Sequence, residues 1–162
     1  MANIEERPNV APPPPQSIDQ ASIDDKGRLK LTSDFLAFLA ANGVTSVFIT
    51  TFDMRIARVY PMSLWLRNEN LFENAGENAA AAERIAFLAR VHGGSADIDN
   101  SGRVLLPAKL REALGLEKQP VWLELHNGRI NVMSRKIYDE RMQLVQATMA
   151  DDLRALEKMG LK

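Results

Sequence analysis

The sequence predicts an α+β fold: a duplicated β unit, a helical insert between the two copies, and a long helix after the second. Three observations carry that expectation. The stretch Ile23-Asp24-Asp25-Lys26-Gly27-Arg28 recurs 75 positions later as Ile98-Asp99-Asn100-Ser101-Gly102-Arg103, with Ile, Asp, Gly and Arg kept. Each copy is followed by a short helical pattern and then by a hairpin pattern, in the same order. From about residue 134 onward, apolar residues step by three or four along one continuous stripe.

At 162 residues and 46% hydrophobic content, the chain can bury a core as one ordinary domain or two very small ones. Cysteine is absent, which excludes disulfides, thiolate nucleophiles and iron–sulfur sites. Residues 1–6 carry acids where a signal peptide needs bases, and no stretch is long and apolar enough to span a bilayer, so a cytoplasmic protein is expected. A net charge of −1 does not suit a freestanding nucleic-acid binder. Any anion binding has to be local, or multiplied by displaying several copies side by side.

In chain order, residues 1–18 read as a disordered Pro-rich tail around Pro8 and Pro12-Pro13-Pro14-Pro15. Residues 19–61 form the first repeat. Its two strands flank the turn, and a helix capped by Thr32 or Ser33 carries Phe35, Leu36 and Leu39 and stops at Gly43. A hairpin then runs through residues 47–50 and 55–60, turning near Asp53-Met54 and ending at Pro61. Residues 62–94 form the helical insert, with Leu64 and Trp65 on one helix. A second helix over 77–91 has Ile85, Leu88 and Ala89 as its apolar stripe, and His92-Gly93-Gly94 stops it.

Residues 95–134 repeat the first order. Pro107 starts the helix, Leu110 and Leu114 line it, and Gly115 closes it. The hairpin over 121–125 and 129–133 turns at Asn127-Gly128, a pair that favours the tight turns hairpins use. Residues 135–162 form the C-terminal helix, whose stripe is Tyr138, Met142, Val145, Met149, Leu153 and Leu156. That stripe has to be covered, either by the insert helices or by a neighbouring subunit.

Catalytic chemistry lacks its usual parts. His92 and His126 are isolated, Asp24-Asp25 and Asp151-Asp152 are the acidic doublets, and Gly93-Gly94 has neither the spacing nor the Lys of a phosphate loop. No catalytic, metal or cofactor residue is assigned, and no small-molecule substrate is expected. The repeated turns differ from the rest because each projects an Arg just behind a Gly. An Asp opening a tight turn ordinarily accepts backbone N–H bonds, so Asp24 and Asp99, with Gly27 and Gly102, read as the residues that shape the turns. Arg28 and Arg103 have two readings. They close local ion pairs with Asp24 and Asp99, or they enter a DNA groove, where guanidinium suits phosphate and guanine edges. In the first copy Lys26 and Lys30 flank Arg28; the second copy has Ser101 and Leu105 in those places.

The two Asp-x-x-Gly-Arg turns, with Val59-Tyr60-Pro61 and Trp65 after the first hairpin and Arg103-Val104-Leu105-Leu106-Pro107 with Leu110-Arg111 in the second copy, resemble the MraZ family. These are AbrB-like, swapped-hairpin transcription regulators with two AbrB-type repeats, and the likeness runs over about residues 21–142. It implies two pseudo-symmetric repeats interlocked into a barrel-like core. It further implies a ring-shaped homo-oligomer on double-stranded promoter DNA with repeated short boxes, associated with the nucleoid and repressing the division and cell-wall gene cluster. Carried over residue by residue, the family's motif falls on Asp24, Lys26 and Arg28 and on Asp99 and Arg103; with Lys30, which flanks Arg28, the expected DNA-binding set is Lys26, Arg28, Arg103 and Lys30. The other function class kept open is an oligomeric scaffold or protein-interaction module that retains the fold without reading DNA.

Overall fold

The computed structural model describes residues 13–162, so most of the expected Pro-rich tail, residues 1–12, lies outside the described residues. Two short strands, β1 (Asp19–Ala21) and β2 (Arg28–Lys30), flank the first turn. Helix α1 (Ser33–Ala41) buries Phe35 and Leu39 one turn apart. It starts at Thr32, whose hydroxyl donates to Asp19 Oδ2 at 2.8 Å instead of capping the helix. Strands β3 (Ser46–Thr50) and β4 (Ala57–Pro61) make the first hairpin. The insert is α2 (Met62–Glu73), a single 3₁₀ turn over Gly76–Asn78, and α3 (Ala79–His92). The second copy follows as β5 (Gly94–Asp97), β6 (Arg103–Leu105), α4 (Ala108–Leu114), β7 (Val121–His126) and β8 (Arg129–Ser134). Between β7 and β8, Asn127 and Gly128 both take positive φ, 50° and 79°, as a two-residue hairpin turn requires. Helix α5 (Arg135–Lys158) completes the chain, and the Ser134 hydroxyl accepts the Ile137 N–H at its start.

The strands form a six-stranded sheet in the order β1-β7-β8-β4-β3-β5 and a separate two-stranded ribbon of β2 and β6. Each opening strand pairs with the other copy's hairpin: Gln20 sits opposite Trp122, and Ala96 opposite Val47. The barrel-like core expected from the sequence is not formed as a closed barrel. Strands β1 and β5 are open edges, because the chain leaves the sheet at each tight turn and its next strand pairs in the ribbon instead.

The ribbon covers one face of the sheet. Leu29 and Val104 point inward, fully buried, into a core with Val47, Ile49, Leu123 and Val132 of the sheet and Phe35 and Leu110 of the helices. The opposite face of the sheet is covered at its two ends. At one end Trp65 of α2 stacks on Phe48 with ring centroids 4.1 Å apart, and the buried Thr50 hydroxyl donates to the Ala89 carbonyl at 2.6 Å. At the other, Tyr138 stacks on Trp122 at 4.5 Å.

Two helices differ from expectation. In α3 the buried stripe is Ala82, Ala86 and Ala89, while Ile85 is 39% exposed and Leu88 half-buried. Small side chains let α3 lie close to its neighbours, and proximity rather than residue size chose the face. In α5 only Ile137 is buried; Met142, Val145, Met149, Leu153 and Leu156 are between 42% and 57% exposed. The insert helices therefore do not cover the α5 stripe.

Candidate nucleic-acid interface

The two turns have the same internal wiring. In the first, Asp24 Oδ1 accepts the backbone N–H groups of Lys26 and Arg28 at 3.0 and 2.9 Å, and Arg28 Nε donates to Asp24 Oδ2 at 2.7 Å. The second repeats it: Asp99 Oδ1 accepts from Ser101 and Arg103, both at 2.9 Å, and Arg103 Nε donates to Asp99 Oδ2 at 3.0 Å. Gly27 and Gly102, at φ 83° and 74°, make the left-handed step each turn needs. The backbone N–H of Arg28 stabilises ionised Asp24 most, with the Arg28 side chain and the Lys26 N–H adding to it, and its pKa falls below the ordinary aspartate value. The Arg103 N–H does the same for Asp99.

What the spacing could not show is how the turns meet. In the ribbon Arg28 lies opposite Leu105, Leu29 opposite Val104, and Lys30 opposite Arg103. Because side chains alternate, Leu29 and Val104 face the core, and Arg28, Lys30, Arg103 and Leu105 share the outer face. Residues 71 or more positions apart in sequence thus form one compact surface. The Lys30 ammonium hydrogen-bonds the Ser101 carbonyl, tying the second strand of one copy to the turn of the other. Lys26 stands exposed on the first turn. Both arginines are engaged by their aspartates, yet their side chains keep 31% and 30% of their surface open. Counting Lys26, Arg28, Lys30 and Arg103 against Asp24, Asp25 and Asp99, the patch has one net positive charge at neutral pH.

Two further cations, Arg111 and Lys118, flank this surface outside the charge count above. Leu105, 54% exposed, puts an apolar contact among the cations. Arg111 of α4 lies directly behind Gly27, where any added Cβ would overlap its guanidinium; it donates to the Leu106 carbonyl and pairs with Glu117 at 3.0 Å. Lys118 shares with Lys30 an open groove beside β1. A cation in a helix or a loop far along the chain carries no local signal of such proximity. Among the described residues, no group of three His, Asp or Glu is arranged to hold a metal ion, and no helix is long and apolar enough to cross a membrane.

A family model described as "MraZ protein, putative antitoxin-like" matches residues 92–155. The transcriptional regulator MraZ of Acidobacterium capsulatum is 30% identical over 86% of this chain and 94% of its own length. That of Anaeromyxobacter dehalogenans is 34% identical over 75% of this chain and 84% of its own. That of Legionella pneumophila, strain Corby, is 28% identical over 85% and 93%. With 30% identity to a transcriptional regulator MraZ over 86% of its length, the chain belongs to the MraZ family.

Proposed function

We propose that this chain is a DNA-binding transcription regulator that contacts DNA through the outer face of the β2–β6 ribbon. One observation carries the reading: the register that gathers Arg28, Lys30 and Arg103 on a single thin antiparallel ribbon with Lys26 at its end. A two-stranded ribbon fits the major groove, and Arg and Lys serve both phosphates and guanine edges. The aspartates pre-set the arginine side chains and lower the entropy lost on contact. The relatives' names are the further support, since each is called a transcriptional regulator.

The finer reading is a repressor of the division and cell-wall gene cluster, bound to repeated short promoter boxes, cytoplasmic and nucleoid-associated, with no enzymatic activity. Two interlocked AbrB-type repeats, residues 19–61 and 95–134, frame the insert at 62–94 and precede the helix at 135–162. The crossing of β1 to β7 and β5 to β3 supports that division. A single net charge per patch binds weakly, so the reading includes a ring of subunits, and the uncovered α5 stripe supports self-assembly. The test is a gel shift on the promoter upstream of its own gene. Arg28→Ala and Lys30→Ala are expected to weaken binding at least tenfold; equal binding by the variants removes the ribbon from the mechanism.

The second reading is an oligomeric scaffold without DNA affinity. It is favoured by the arginines' engagement with Asp24 and Asp99, which gives both guanidiniums a structural task. Absence of DNA binding even at low salt, with the oligomer intact, would select it.

A further inference from the structure

The middle of the sheet's outer face, between the patches covered by α2, α3 and α5, contains two arginines that the fold leaves short of partners. Strands β4 and β8 pair with Arg58 opposite Asn131 and Val59 opposite Ile130, which puts Arg129 opposite Tyr60 and diagonal to Arg58 on one face. Arg129 Nε donates to the amide oxygen of the buried Asn131 at 3.2 Å, and among the described residues no carboxylate lies within 4 Å of it. Arg58 has a long contact to the Tyr60 hydroxyl, 3.4 Å, and its nearest carboxylate, Asp53, is 3.7 Å away. That contact is made by Asp53 Oδ2 and is longer than a hydrogen bond, while Oδ1 accepts the N–H groups of Arg55 and Ile56 at 2.9 and 3.0 Å. Arg58 Nε is enclosed without any hydrogen-bond partner, its guanidinium lies 5.1 Å from the Phe52 ring centre, and its side chain is 20% exposed.

Three other arginines are paired closely with carboxylates. Arg55 with Glu140, Arg90 with Glu69 and Arg141 with Glu124 all meet at 2.6 Å, and all are more open to water. The two least solvated by their surroundings on this face are the two left without such a partner. Burial, and then the neighbouring Arg58 charge, pull the Arg129 guanidinium below the ordinary arginine pKa. Two like charges side by side, partly dehydrated, are costly unless an anion joins them.

We infer that Arg58 and Arg129, with the Tyr60 hydroxyl beside them, form a receptor for an oxyanion, the phosphate or carboxylate group of a small molecule. Guanidinium binds either group through paired N–H donors, and Phe52 fixes the plane of one fork. The receptor lies on the opposite side of the sheet from the β2–β6 ribbon, so it does not share that surface's ligand.

The experiment is a titration of the whole chain followed by the Nε–H signals of its arginines in NMR, with inorganic phosphate, succinate and sodium chloride at matched ionic strength. The Arg58 and Arg129 signals are expected to move saturably with phosphate or succinate and not with chloride, and the stronger of the two identifies the group. Arg129→Gln is expected to weaken the response at least tenfold, while Arg55→Gln leaves it unchanged. The inference is overturned if chloride moves the signals equally, or if Arg28 and Arg103 respond in their place. Should Arg129→Gln fail to fold, the titration of the unaltered chain decides alone.

Discussion

Arg103 Nη1 of the second turn lies 3.8 Å from Asp24 Oδ2 of the first, the same oxygen that Arg28 Nε holds at 2.7 Å. Asp24 therefore serves two guanidiniums, one from each copy, whereas Asp99 serves its own. The expected consequence is that Asp24→Asn lowers the urea midpoint more than Asp99→Asn, and that Asp24→Asn and Arg103→Gln combine to less than the sum of their separate effects. Additivity of the Asp24 and Arg103 substitutions would show that the turns are not coupled.

Acid should loosen the ribbon. The folded state holds the pKa of Asp24 and of Asp99 below the ordinary aspartate value, so each contributes stability above an unfolded pKa of about 3.9 and loses it as pH falls through its folded pKa. Carboxyl titration by NMR should place both midpoints below about 3.9, and the urea midpoint should fall with pH through that window. The Asp24→Asn, Asp99→Asn double variant should show a shallower fall.

Gly102 has two reasons to be glycine. Its φ is 74°, and a Cβ there would overlap a methyl group of Leu36. Gly115, at φ 63°, has open space in the same direction. Gly115→Ala should therefore cost about 1 kcal/mol for conformation alone, and Gly102→Ala about 2–3 kcal/mol, read as the difference in urea unfolding free energies. Equal costs would mean that Leu36 moves aside freely.

For α5, Val145→Asp and Met149→Asp replace residues 50% and 57% exposed in the single chain. Their effect on the subunit's own stability should stay within about 0.5 kcal/mol. If the stripe is buried between subunits, the mass from light scattering falls towards that of one chain. An unchanged mass moves the contact elsewhere.

The elements were legible wherever local chemistry decides them. Asn127-Gly128 announced its hairpin, Gly43 and Gly115 their helix ends, and the Asp-x-x-Gly-Arg repeat its turns. The order of the strands was not, because nothing in residues 19–21 signals that they will pair with residues 121–123 instead of their own hairpin. The same gap hid the gathering of Lys30 and Arg103. The α3 stripe misled for a different reason: hydrophobic size favoured Ile85, but close packing needed Ala82 and Ala86. The Arg58–Arg129 pair was invisible, since facing strands create it.

The crossing of strands also bears on how the molecule is made. Gln20 finds its sheet partner in Trp122, and Leu29 finds Val104. At roughly 5–20 residues per second, β1 waits on the order of 5–20 s on the ribosome before β7 exists. For most of that wait the first hairpin is also without β5, so neither half of the sheet can act as a finished template for the other. A nascent chain of this kind remains open to a second nascent chain from the same messenger, whose β5 or β7 is chemically identical to its own. Exchange of strands between copies is the error this topology invites, and the timing of translation, as much as the final contacts, decides how often it occurs.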